Sequence, residues 1–233
     1  MHEDEVVNGY NLVMLLAKKG RRHICLEGWT PGDATFLERW EGYKKGVADW
    51  NKAHPSDKIT MTQPVYANTS SEEGANVTKS FMNSHPEMDS LIAAGGGGDP
   101  LVGSVGAIKN AGKTGKIGVV STDFLSDLDK QLATGGMDGE SGGHFCDPLY
   151  ALMMVYNTIK GKYQTSVDAS SPSSFYEIKF PYLYVSSSKD YDNYKKYFLD
   201  SDPYTTKEIK DMDQLSKKAA SISIKDVQSR HSS

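Results

Sequence analysis

Along its first 143 residues the chain repeats one order of hydrophobic and polar positions: an amphipathic stripe, a short apolar run, then another stripe. Val6, Val7, Tyr10, Val13, Met14 and Ala17 recur at helical spacing behind Asp4, a capping residue, and Gly20 stops the helix. His23-Ile24-Cys25-Leu26-Glu27 is a strand pattern, and Asp33 caps the next helix. The stripe Phe36, Trp40, Tyr43, Val47, Trp50 on that helix reads as core packing. Lys58 to Thr62 begins a second strand, and Ser70 with Glu73 makes a capping box for a helix through Val77 and Phe81. A third strand, Met88 to Ala94, is closed by four glycines, Gly95 to Gly98. Asp99-Pro100 then opens a helix that Gly112 ends. Ile117 to Ser121 is a fourth strand, followed by a helix carrying Leu125, Leu128 and Leu132 and a weak fifth strand near Gly136 to Ser141. Strands separated by single helices predict βαβ units, hence an α/β fold with a doubly wound parallel sheet.

After residue 143 the pattern changes. Asp147 as N-cap and Pro148 at the first helical position begin a helix, Leu149 to Tyr156, that is apolar nearly all round and so demands partners on several sides. A polar loop spans Gly161 to Ser174. Strands Phe175 to Phe180 and Tyr182 to Val185 are broken by Pro181, and the tail from Ser216 is polar and frayed.

Composition narrows the partners more than the fold. The net charge is −4, and Lys and Arg form no stripe interleaved with aromatics, so nucleic acid is not an expected partner. Lys18, Lys19, Arg21 and Arg22 read as a solvated helix C-terminus favoured by the helix dipole. Two cysteines, Cys25 and Cys146, make a disulfide framework improbable. No apolar run reaches the roughly 20 residues of a membrane span, and the acidic start Met1-His2-Glu3-Asp4-Glu5 is unlike a signal peptide.

Three motif matches fail on context. Gly106 to Thr114 ends in Gly-Lys-Thr like a phosphate loop, but its glycines are too far apart and a helix precedes it where a strand should. The glycine run lacks the third glycine of a dinucleotide fingerprint. Gly139-Glu140-Ser141-Gly142-Gly143 matches a serine-hydrolase elbow, but no apolar strand precedes it, and the order Ser, acid, His leaves only His231 as base. His144 with Cys146 is too small a set for a metal. No cofactor or metal is expected.

What remains is a row of polar and aromatic groups at strand ends: Trp29, Tyr66 or Asn68, the glycine corner with Gly97 and Asp99, Asp123 and His144. In an open parallel sheet, ligands bind beyond the carboxyl ends of the strands. Arg39, early in its helix, leans back over those ends. A forked donor, a carboxylate that accepts from two hydroxyls and an aromatic face together suit an uncharged, hydroxyl-rich ligand. Equally, Arg39 and Asp123 could pair with each other, or Asp123 could cap the helix that follows it.

Glu38-Arg39-Trp40-Glu41-Gly42-Tyr43, Ala93 through Pro100, Val119-Val120-Ser121-Thr122-Asp123 and Gly142-Gly143-His144-Phe145-Cys146-Asp147-Pro148, in that order and spacing, resemble the type 1 periplasmic sugar-binding proteins typified by ribose-binding protein, the solute receptors of ABC importers. The resemblance runs from His2 to Lys160 and more loosely through Tyr182 to Tyr204. It implies Arg39 as the sugar-hydroxyl arginine, Asp123 as the chelating aspartate and His144 as a polar hinge residue, with Trp29 and Tyr66 matching approximately. The family's Asn-Asp after the third strand is here Gly97-Gly98, which removes an amide from the site.

The resemblance further implies a sugar ligand, an ABC permease as partner and an extracytoplasmic setting. Residues 1–143 correspond to a complete C-terminal lobe, 144–185 to a hinge crossing with the helix and strands of an incomplete N-terminal lobe, and 186–233 to a C-terminal helix and polar tail. About 100 residues of the other lobe have no counterpart on domain-size grounds, so the chain reads as a truncated receptor that needs that lobe or self-association. Two other readings stay open: the effector domain of a sugar-responsive transcription regulator, and a serine hydrolase acting through Ser141.

Overall fold

The computed structural model describes residues 2–67, 69–94, 98–143, 147–161 and 179–207, with the backbone alone at 99, 147, 150, 153, 154, 157 and 158. The chain divides into two compact units. The larger is Glu5–Gly142 with Tyr184–Tyr191; the other holds the residues before Glu5, Gly143–Leu183 and those from Asp192 onward.

In the larger unit, helix α1 (Glu5–Lys18) ends at Gly20, whose φ of 83° only glycine adopts without strain. Strand β2 (His23–Gly28) follows, and Asp33 caps α2 (Ala34–Ala53) by accepting the Phe36 N–H at 2.7 Å. The expected second strand is two pieces, β3 (Thr60–Met61) and β4 (Val65–Tyr66), both parallel to β2. Pro64 has no N–H to give a ladder, and in the gap the Thr62 hydroxyl stands in, accepting the Leu26 N–H at 3.0 Å. Helix α3 (Ser71–Ser84) starts at Ser70, whose hydroxyl accepts the Glu73 N–H. Then come β5 (Ser90–Ala93), α4 (Asp99–Asn110), β6 (Gly118–Thr122), α5 (Leu128–Thr134) and β7 (Gly139–Gly142). Leu125, expected on α5, lies in the turn before it and is buried there.

The sheet order is β3-β2-β5-β6-β7, with β4 also on β2 and Tyr184 and Val185 of β9 (Leu183–Val185) beyond β7. Registered pairs through β7 are parallel. The chain steps outward from β2 to β3 and thereafter only the other way. Right-handed crossovers therefore put α2 on one face, with α1 packed against it, and α3, α4 and α5 on the other. The core follows: Leu12, Leu16, Ile24, Leu26, Phe36, Tyr43 and Ile92 are all but inaccessible. Trp40, Val47 and Trp50 pack partly buried against this cluster, so the aromatic stripe of α2 is core, as its spacing implies.

Helices α1 and α2 cross at two glycines. A Cβ at Gly9 would collide with the Arg39 carbonyl oxygen, and one at Gly42 with the Val6 carbonyl oxygen. The basic run after α1 is not simply solvated. Arg21 pairs with Asp138 at 2.8 Å and donates to the carbonyls of Gly115 and Lys116; Arg22 pairs with Asp57 and lies 4.7 Å over the Trp50 ring. Both arginines tie the α1–β2 turn to neighbouring loops, which burial of their stems makes possible.

In the other unit, β1 (His2–Glu3) runs parallel to β8 (Lys179–Phe180). Helix α6 spans Asp147–Ile159, beginning on Asp147 rather than after it. Tyr182, Tyr197, Phe198 and Tyr204 are buried, the last turn of α7 (Ser188–Tyr194) leading into a wide π-type turn, Lys195–Leu199. The expected loop 161–174, residues 175–178 of the expected strand and the tail from 216 lie outside the described residues, Gly161 excepted. Among the described residues no helix is long and apolar enough to cross a membrane.

Candidate functional site

Three strand ends on the larger unit converge. Trp29 follows β2, Ala94 follows β5 and Asp123 follows β6, and all three line one hollow of about 230 Å³ together with Asp33, Thr35, Phe36 and Arg39 from the start of α2. A hollow at the carboxyl ends of parallel strands is where such sheets hold ligands.

Arg39 is only 7% exposed. Its Nε lies 2.5 Å from Glu5 Oε2 and its Nη2 3.0 Å from Glu5 Oε1, a two-point pair, while Nη1 donates to the Ala94 carbonyl at 3.0 Å. The guanidinium is thus fixed in place and its charge is balanced from α1. Asp123 has φ 69°, the left-handed region, and its N–H donates to the Ser141 carbonyl at 2.7 Å. An aspartate tolerates that backbone better than most residues. It does not cap the next helix, since Asp127 takes the N-cap position of α5.

Phe36 stacks on Trp40 with ring centroids 6.1 Å apart and meets Tyr66 edge-on at 5.7 Å. Tyr66 itself packs against Gly28 and supports the floor through Phe36 rather than lining the hollow. The hollow therefore offers one apolar wall, one fixed cation already balanced, and the carboxylates of Asp33 and Asp123.

Of the residues expected at the site, Trp29, Arg39 and Asp123 come together and Tyr66 stands one ring away. Asp99 is the first residue of α4, of which only the backbone is described; Gly97, Asn68 and His144 lie outside the described residues, as does Cys146. Asp33, Thr35, Phe36 and Glu5 were missed. Asp33 and Phe36 were visible as a cap and a core position, and nothing in the spacing marked them as lining. Glu5 carried no signal, because its link to Arg39 depends on the α1–α2 crossing.

A larger hollow of about 430 Å³ lies by His23, Cys25, Met61, His85 and Met88. It sits at the amino-terminal half of β2, away from the βα corners, so its volume does not outweigh the placement of the smaller one. Burial pushes the Cys25 thiol up to about 12, which leaves it unreactive. Among the described residues no three His, Cys, Asp or Glu side chains gather as metal ligands.

The hydrolase reading does not hold. Ser141 is fully buried inside β7, its hydroxyl 3.0 Å from Thr122 Oγ1, whereas an elbow serine must stand exposed on a strained turn.

No family model matches the sequence, and no curated protein matches it. Solved structures do match. A periplasmic solute-binding protein of an ABC transporter from Actinobacillus succinogenes 130z, with bound D-allose, aligns over 82% of this chain and 62% of its own at TM-score 0.65 and 20% identity. An ABC transporter solute-binding protein from Agrobacterium vitis, bound with alpha-D-tagatopyranose, aligns over 81% and 58% at TM-score 0.65 and 19% identity. A sugar-binding protein of a sugar ABC transporter from Bacillus halodurans aligns over 82% and 65% at TM-score 0.68 and 14% identity. The chain spans 58–65% of the length of these three proteins. It has the α/β fold of the periplasmic solute-binding proteins of ABC transporters.

Proposed function

We propose that this chain is the sugar-binding component of an ABC importer, with the hollow between Trp29, Arg39 and Asp123 as its half of the sugar site. The observation that carries the reading is the convergence of those three residues, from the β2–α2 corner and the end of β6, on one hollow at the strand ends. An aromatic face, a fixed guanidinium and a carboxylate are the groups that recognise a pyranose by its C–H face and its hydroxyls. The sugars held by the Actinobacillus and Agrobacterium proteins support the ligand class. On this reading the chain works outside the cytoplasm and delivers sugar to a permease, and it is no enzyme.

The second jaw is the finer part of the proposal. Leu152, Val155, Tyr156 and Ile159 of α6 are 49–77% exposed and fall on one stripe, spaced three, four and seven residues from the first. Apolar stripes of this kind mark contact surfaces. The span of 58–65% of the matched structures leaves room for the occupant, which we take to be the remainder of the other lobe.

A receptor with one jaw binds weakly, because closure and opposing contacts supply much of the affinity; about millimolar Kd is expected. Titration of the chain with D-allose and D-tagatose by NMR should shift Trp29 and the Asp123 amide in that range, and Asp123→Ala should remove the shifts. Micromolar binding by the chain alone would overturn the half-site, and no shift with either sugar would overturn the sugar reading.

A further inference from the structure

Asp123 is presented by a turn that β7 pins at two points. Ser141 accepts the Asp123 N–H at 2.7 Å, and Glu140 Oε2 accepts the Leu125 N–H at 2.8 Å. Between them Phe124 lays its ring against Gly142. Glu140 is inaccessible to solvent, pairs with Ser121 in the ladder, and keeps its other oxygen, Oε1, buried with no hydrogen-bond partner among the described residues. A strand-interior carboxyl that spends one oxygen on a loop amide and leaves the other unmatched is costly as a mere spacer, since a buried polar atom without a partner carries its full desolvation penalty.

We propose that Glu140 is a positioning residue of the sugar site: its buried carboxyl holds the 123–125 turn that presents Asp123, and a negative charge on it loosens that turn. The proposal rests on the sugar reading only for its consequence, not for its geometry. Among the described residues, the charged groups that bear on Glu140 are Asp123 and Asp127, one on each side of the Leu125 amide in sequence, and both are acidic. Burial, reinforced by those two acids and offset by the Leu125 bond, pushes its carboxyl up to about 8. Near neutral pH the group is therefore protonated, and Oε2 still accepts the Leu125 N–H. Above pH 8 the corner would hold three carboxylates, that of Glu140 buried and those of Asp123 and Asp127 half-buried, and the added charge repels Asp123. Sugar affinity then falls as pH rises through about 8.

Two readouts separate the turn from the sugar. By NMR the Asp123 and Leu125 amides of the wild-type chain should titrate together with the Glu140 carboxyl carbon, with a midpoint near 8. In Glu140→Gln, which keeps an acceptor and cannot ionise, they should stay flat. With D-allose and D-tagatose as probes, wild-type affinity should drop at least fivefold between pH 6.5 and pH 9.5. Glu140→Gln should hold its pH 6.5 affinity throughout, and Glu140→Ala, lacking the acceptor, should be weaker at every pH. The same spectra report whether each variant is folded. If the two amides do not titrate, or titrate unchanged in Glu140→Gln, the proposal falls whatever the sugars do. If they titrate as expected and neither sugar shifts any residue, the positioning role stands and the sugar reading falls.

Discussion

Glu5 and Arg39 meet face to face across the α1–α2 crossing, carboxylate on guanidinium, with both partners nearly buried. A pair of this kind is held by geometry, and removing one member takes from the other the counter-charge it faces in a poorly hydrated place. Glu5→Gln should therefore destabilise the chain by about 3 kcal/mol, the low end for breaking a buried pair because the amide keeps part of the bonding. Urea unfolding measures it; a loss below about 0.5 kcal/mol would show the pair to be dispensable, as exposed pairs commonly are.

The same crossing sets a contrast between two glycines. At Gly9 a methyl would strike the Arg39 carbonyl, so Gly9→Ala must push α2 away and should cost about 1–3 kcal/mol. At Gly106, inside α4, a methyl meets nothing within 4 Å, and Gly106→Ala should gain about 0.5–1 kcal/mol from helix propensity. Thermal melts of the two variants should move in opposite directions; equal destabilisation would contradict the crossing geometry.

Stability should fall with rising pH above the ordinary glutamate range. Glu27 is buried between α3 and α4, accepting from Ser104 at 2.7 Å and Thr78 at 3.3 Å, and burial pushes its carboxyl up to about 7; Glu140 is pushed to about 8. Both bind a proton in the native state that the unfolded chain has already lost above its reference value of 4.5. Their contribution is whole below that value and is lost as pH climbs through 7 and 8, at roughly 1.4 kcal/mol per pH unit for each group while it lasts. Urea midpoints at pH 5 and pH 8.5 check it. The double variant Glu27→Gln/Glu140→Gln should lose most of the difference, and a wild type equally stable at both values would refute it.

Strand ends and helix starts were legible because they are local. Asp33 announces a helix, and the run ending at Glu27 announces a strand, which is enough to place Trp29, Arg39 and Asp123 at one end of a sheet. Partners were not legible, because contacts at long range depend on how helices pack. Glu5 reaches Arg39 only through the glycine crossing, and Arg21 reaches Asp138 only through the sheet order. The segment Gly139–Gly142 is legible only as a weak strand. Its glycines suppress the β signal and imitate a catalytic elbow, although all four residues are buried strand.

The larger unit is assembled from two stretches of chain, and that imposes an order on its making. Glu5–Gly142 leaves the ribosome as a block, whereas Tyr184–Tyr191, which brings the Tyr184 hydroxyl to Asn11 and the Ser186 carbonyl to Lys19, follows only after Gly143–Leu183. Until then the far edge of β7 stands bare, an open template for a foreign strand. A short, glycine-rich edge is a poor template, because it offers little side-chain surface to pair with. The composition that weakens the signal of β7 in the sequence also guards the nascent chain while it waits for its last strand.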